Sequence, residues 1–129
     1  MATEHEDRDD ILQVMYRYNH AMDGGDGDEW ASCFTADGVF DAGGMIVEGH
    51  DALRALPAQA GGRGMRHLLV NPVIDVTGDA AHGRAYIVVL LGSGIGMVGS
   101  YDDELVRTAD GWKLAKRVFT MDQPADAPA

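Results

Sequence analysis

Four long runs rich in Val, Ile, Leu and Tyr, at about 66–77, 80–91, 97–108 and 112–121, follow one another with little but turn residues between them. Thr77-Gly78-Asp79, Gly92 to Gly96, and Thr108-Ala109-Asp110-Gly111 supply those turns. Connections so short leave no room for a crossover helix, so the runs must pair as an antiparallel meander. The helical signals all lie before them. Ile11, Met15, Tyr18 and Met22 recur at helical spacing, widened by Leu12, Val14 and Ala21, and predict an amphipathic helix over roughly 8–23. Gly24-Gly25 stops it, and Asp26 or Asp28 caps a second helix with Trp30, Cys33 and Phe34 on one face, before Thr35-Ala36-Asp37-Gly38 turns the chain. Short strand signals follow at Val39-Phe40-Asp41 and Met45-Ile46-Val47. Asp51 then caps a short helix, Ala52 to Leu56, closed by Pro57 and the Gly61-Gly62-Arg63-Gly64 loop. Helices first and strands after is the α+β pattern, in which a curved sheet wraps helices packed on one face. With 129 residues the expectation is one domain over 1–122 and a flexible tail, 123–129, that lacks any apolar face.

Charge narrows the partners. A formal net charge of −11 argues against nucleic acid or an anionic membrane, since either needs a cationic surface. No run approaches membrane-spanning length, and the N-terminus MATEHEDRDD is acidic where a targeting peptide is basic. The one cysteine, Cys33, forbids an intrachain disulfide, which with the rest predicts a cytoplasmic protein. Cys33 itself reads as a small core residue.

Several motifs fail on context. Gly94-Ile95-Gly96-Met97-Val98-Gly99 has the letters of a dinucleotide fingerprint, but a strand follows where a helix N-terminus must receive the pyrophosphate. Asp23, Asp26, Asp28 and Glu29 suggest a calcium loop, yet Gly25 stands at the second ligand position and Phe34 at the twelfth. The five histidines include no pair four apart on a helix and no neighbouring cysteine, so no metal is expected.

Asp23 is harder to dismiss. It falls in the last turn of the first helix, where a negative charge meets the negative end of the macrodipole. Helical geometry puts it at the border of the buried stripe, with Tyr18 on the other flank, so both can face what the helix covers. On the first long strand, alternation puts His67, Leu69 and Asn71 on one face and Arg66, Leu68 and Val70 on the other. Neither face is purely apolar, which suggests a cavity with polar tips.

Taken in order, Tyr18-x4-Asp23-Gly-Gly-Asp, Trp30-x3-Phe34-Thr-x-Asp37-Gly-Val, Glu48-Gly49-x-Asp51-Ala52-Leu53, Arg66-His67, and Gly99-x-Tyr101-x2-Glu104-x2-Arg107-x2-Asp110-Gly111-Trp112-Lys113-Leu114 resemble the SnoaL-like branch of the nuclear-transport-factor-2-like superfamily over roughly 8–119. The pattern is most similar to the scytalone dehydratase, hexachlorocyclohexane dehydrochlorinase and bile acid dehydratase branch. The resemblance implies a cone-shaped barrel of curved antiparallel sheet around N-terminal helices, enclosing a hydrophobic pocket. It also implies that Asp23 and His67 form a catalytic dyad, that Tyr18 enters the site, and that Arg107 matches a position that is an active-site Arg in some relatives. The chain departs from scytalone dehydratase in reading Tyr86-Ile87-Val88-Val89-Leu90-Leu91 where a second His would stand. Asp41 is one place off the register of the steroid isomerase base.

An Asp accepting the Nδ1 proton of a His leaves Nε2 to remove a proton beside an electron-withdrawing group. Tyr18 and Asn71 can stabilise or orient the substrate oxygen, with Arg107, Phe40, Leu69, Met22 and Val88 as further expected substrate contacts. No cofactor is required. The expected activity is a dehydratase-type lyase or an isomerase acting on a small hydrophobic, aromatic or polycyclic substrate. Polyketide cyclase or epoxide hydrolase chemistry in the same pocket is an alternative, as is a non-catalytic ligand-binding or assembly module. A homodimer or homotrimer is expected, because exposed sheet faces in this fold usually pair.

Overall fold

The structure, a computed structural model, describes residues 2–122, so the expected tail at 123–129 lies outside the described residues. Helix α1 spans Glu4–Gly24, starting before its apolar stripe because its cap sets the start. Thr3 accepts from the Glu6 backbone N–H at 3.1 Å while the Glu6 carboxylate accepts from the Thr3 N–H at 3.1 Å, a reciprocal capping box. At the other end Gly25, in the left-handed region at φ 70°, returns its N–H to the last carbonyls. Helix α2, Gly27–Ser32, is capped by Asp26, whose Oδ1 accepts from the Glu29 N–H at 3.1 Å.

Two local expectations need correction. Phe34 does not extend α2 but opens strand β1, Phe34–Ala42, so the Thr35–Gly38 segment is a register irregularity inside a strand instead of a separate turn. Strand β2 is Met45–Glu48, and helix α3, His50–Ala60, starts from Gly49 and carries Pro57 inside it. Asp51 does not cap α3; its carboxylate accepts from Arg54 Nη1 at 3.0 Å.

The long strands are β3 (Arg66–Thr77), β4 (Ala80–Leu91), β5 (Gly94–Thr108) and β6 (Gly111–Met121). They form one sheet in the order β2-β1-β6-β5-β4-β3. All neighbours are antiparallel except β1 and β6, which run parallel. The sheet curves but does not close, with β2 and β3 as its edges. Helix α1 packs against β3 and β6. One buried cluster draws on α1, α2, α3 and on β1, β3, β4, β5 and β6, with Tyr18, Trp30, Phe34, Phe40 and Tyr101 as its aromatic centre. The segment Gly94–Gly99 lies in β5, without the helix a dinucleotide fingerprint needs.

Two bulges reset which residues face inward. In β3 the register against β4 shifts between Val70 and Val73, and Asn71 takes a positive φ of 53° there. His67 lies on the inner face before the shift, and Ile74 is the buried residue after it. In β6 the register against β5 shifts between Glu104 and Leu105, leaving Ala115 unmatched. Inward positions accordingly pass from Trp112 and Leu114 to Arg117, with Phe119 beyond it in the cavity wall.

Candidate active site

The last turn of α1 and the first residues of β3 meet at Asp23 and His67. His67 Nδ1 lies 2.6 Å from Asp23 Oδ1, and the His67 backbone N–H donates to Asp23 Oδ2 at 2.9 Å. Those bonds stabilise a carboxylate that the macrodipole of its own helix disfavours. The pair is largely enclosed, with side-chain exposures of 12% for His67 and 13% for Asp23. An ionised carboxylate only accepts hydrogen bonds, so Nδ1 carries the proton, and in the neutral imidazole Nε2 keeps its lone pair. One residue before Asp23, the Met22 carbonyl lies against Gly61, just past α3, where a Cβ would collide.

His67 stands in the wall between two spaces. Inward is a cavity of about 210 Å³, lined by Met22, Met45, Met65 and Met97, by Phe40 and Phe119, and by Tyr18 and Tyr101. Among the described residues no Lys, Arg, Asp or Glu lines it. Outward, between α1 and β3, an open groove of about 690 Å³ is lined by Tyr16, Asn19, His20, Asp23, Arg66 and Leu69. The dyad therefore stands between an apolar cavity and a groove whose lining mixes polar and apolar side chains.

Among the residues singled out in sequence, Asp23, His67, Tyr18, Met22 and Phe40 are brought together. Tyr18 is 1% exposed and in the cavity wall, whereas Tyr16 is 41% exposed and faces the groove. Leu69 reaches the groove and not the cavity. Three expectations are corrected. Asn71 is exposed and borders a depression shared with Arg84, Tyr86 and Asp102, because the β3 bulge ends the alternation that was to place it beside His67. Val88 pairs with outward-facing Leu68, and its neighbour Val89, opposite His67, lines the cavity instead. Arg107 is remote from the dyad: Nη1 and Nη2 donate to the Asp7 carboxylate at 2.8 and 2.9 Å, Nε donates to Asp79 at 3.0 Å, and the guanidinium lies 4.6 Å from the Trp112 ring centroid. It ties the start of α1 to the sheet. Asp41 accepts from the Gly44 N–H at 3.1 Å in the β1–β2 turn, and burial pushes the Cys33 thiol up to about 11, away from nucleophilic chemistry.

Sequence reasoning missed Tyr101, Asp103 and Arg117. Arg117 Nε and Nη2 donate to the two oxygens of Asp103, each at 2.7 Å, and both side chains are 0% exposed. The signal in β5 is alternation: Tyr101, Asp103 and Leu105 share the buried parity, with Asp102 and Glu104 outward. Arg117 is hidden in sequence by the bulge before it. Among the described residues no group of three or more His, Cys, Asp or Glu is placed to hold a metal ion, and no helix is long and apolar enough to cross a membrane.

The family model described as SnoaL-like domain matches residues 3–118. The uncharacterized protein Rv2910c of Mycobacterium tuberculosis is 32% identical over 129 residues, covering 92% of this chain and 88% of the relative. Among solved structures, a protein of unknown function from Mycobacterium tuberculosis, determined as an Asp-to-Asn variant, is 33% identical with a TM-score of 0.83, covering 89% of this chain and 71% of that one. An NTF2-like protein with a cystatin-like fold from Novosphingobium aromaticivorans is 27% identical with a TM-score of 0.83, covering 91% and 82%.

Proposed function

Because this chain belongs to the SnoaL-like domain family, we propose that its enclosed Asp–His pair is a proton-transfer site, in a lyase or isomerase for a small hydrophobic substrate. The observation that carries this reading is the 2.6 Å contact between Asp23 and His67 at the wall of an apolar cavity. In an elimination, Nε2 takes the proton next to a carbonyl, the C–H electron pair becomes the new double bond, and the hydroxyl on the adjacent carbon departs. That hydroxyl leaves as water with a proton from Tyr18 or from the imidazolium. In an isomerisation the imidazolium returns the same proton to another carbon. Asp23 holds the imidazole in the productive tautomer and stabilises the cation that forms. The residues provide every proton these steps need.

Acetophenone in D₂O offers a direct test, since a base at Nε2 exchanges the protons beside its carbonyl without completing any elimination. Exchange above the buffer rate by the wild-type protein, lost in His67→Ala, supports the reading. Full exchange in both His67→Ala and Asp23→Asn overturns it. The groove on the far side of the dyad favours a second reading, in which His67 activates water or an enol for hydrolysis or cyclisation. Product identity, with solvent oxygen incorporated or a ring closed, separates that from elimination. A purely ligand-binding or assembly module would keep its affinity and show no exchange at all.

A further inference from the structure

We propose that Tyr101 is a second hydroxyl donor beside Tyr18, that Arg117 locked by Asp103 positions both phenols, and that the site so formed selects an uncharged, oxygen-bearing ligand of one or two rings. The inference rests on the proton-transfer reading only in taking the cavity as the reaction chamber. Tyr18 and Tyr101 both stand in the cavity wall with His67. Their rings are 5.9 Å apart at 77°, edge to face. The Arg117 guanidinium carbon lies 4.4 Å from the Tyr18 centroid and 3.8 Å from that of Tyr101, so one cation rests on both rings.

Neither Arg117 nor Asp103 lines the cavity, so the pair acts through the tyrosines. Stability alone does not account for it. A buried ion pair costs so much desolvation that apolar residues of the same volume are often as stable or more so. Here Arg117 Nη1 is also left without a partner among the described residues. What the pair does supply is a flat cation held by two 2.7 Å bonds against both rings, a geometry that lysine cannot reproduce. Burial raises the pKa of both phenols and the Arg117 charge opposes that rise, which keeps them better hydrogen-bond donors than an apolar pocket alone would. Asp103 and, more weakly, Asp23 act on Tyr101 in the opposite sense.

The ligand class follows from what surrounds this polar pole. Among the described residues no Lys, Arg, Asp or Glu lines the cavity, and His67 is already engaged by Asp23, so a carboxylate or ammonium would enter without a free counter-charge. An engineered apolar cavity of about 150 Å³ holds benzene, so about 210 Å³ suits one ring with substituents or a compact pair. An oxygen on that ring can accept from Tyr18 and Tyr101 together while the carbon beside it faces His67.

Acetophenone, its hydrocarbon isostere α-methylstyrene, and benzoate test this by equilibrium binding, with the carbonyl stretch of bound acetophenone as the spectroscopic readout. The wild-type protein is expected to prefer acetophenone to α-methylstyrene about tenfold, the scale of one well-made hydrogen bond. Benzoate binds weakest, and the carbonyl stretch falls relative to solution. Tyr101→Phe, which keeps the ring and removes only the hydroxyl, abolishes most of the preference and moves the stretch back up. Arg117→Lys, checked for folding by circular dichroism, moves the stretch in the same direction although it touches no ligand. Should Arg117→Lys not fold, the Asp103→Leu/Arg117→Met pair, which leaves no unpaired charge, is measured in its place. The clamp is wrong if the wild-type protein shows no ketone preference, if Tyr101→Phe leaves preference and stretch unchanged, or if benzoate binds as well as acetophenone. An unchanged stretch in the Arg117 variant removes Arg117 from the proposal. Proton exchange separates this from the dyad reading: absent exchange with an intact ketone preference sinks the dyad alone, and exchange without the preference sinks the clamp alone.

Discussion

Replacing the Asp23 carboxylate by an amide of the same shape isolates what its charge does for His67. Asp23→Asn and His67→Ala are each expected to lower the rate of proton transfer at least about a hundredfold, the usual scale for a positioned acid or base. Deuterium incorporation followed by NMR reads that rate. Asp23 was legible in sequence because a carboxylate at the wrong end of a helix dipole needs a local reason to be there. That reason, two N–H groups of His67, comes from a strand 44 residues away and is invisible locally. Tyr18 was legible through the helical stripe. Arg117 was not, since an arginine in the middle of a strand normally points to solvent, and the Asp103 carboxylate and two tyrosine rings that receive it come from distant elements.

Elements were easier to find than their phase. The limits of β3 and β4 match the expected runs, because turn residues and β-branched runs mark strands locally. Bulges carry no such mark, and a single extra residue exchanges the two faces of a strand. This is why Asn71 and Arg117 could not be placed by counting in twos. Asn71 sits at φ 53°, a region that asparagine tolerates and β-branched residues do not. Asn71→Val is therefore expected to lower unfolding free energy by about 1–2 kcal/mol while leaving acetophenone affinity unchanged, as denaturant melts and a binding titration would read. Gly61→Ala tests the opposite coupling. Its Cβ would strike the Met22 carbonyl one residue before Asp23, so overpacking of about 1–3 kcal/mol should come with a loss of exchange rate.

At the scale of the molecule, α1 is fastened at both ends, by His67 near its C-terminus and by Arg107 and Trp112 at Asp7 near its start. The Arg107 hydrogen bonds hold the Asp7 carboxyl below the usual carboxylate range. A depressed carboxylate contributes stability that is present above its unfolded value of about 3.9 and is lost as pH falls through its lowered native value. Asp7→Asn should flatten that acid limb in thermal unfolding followed from neutral to acid pH, and an unchanged limb would place the acid sensitivity elsewhere. Leu68, Tyr86 and Val98 are exposed on the outer face of the sheet, and we propose that this face joins copies of the chain as a homodimer or homotrimer. Light scattering checks it, with Tyr86→Glu expected to give monomers if the face is the contact. The sequence by itself determined the order of helices and strands, the Asp26 cap, the tight turns after β3 and β5, and a carboxylate in need of a partner, because these depend on residues a few positions apart. Only the tertiary structure decided that the partner is His67, that Arg107 fastens a helix, and that Arg117 lies between two tyrosines. Those contacts are set by strand register and bulges, which depend on how distant faces pack and leave no local signature in the chain.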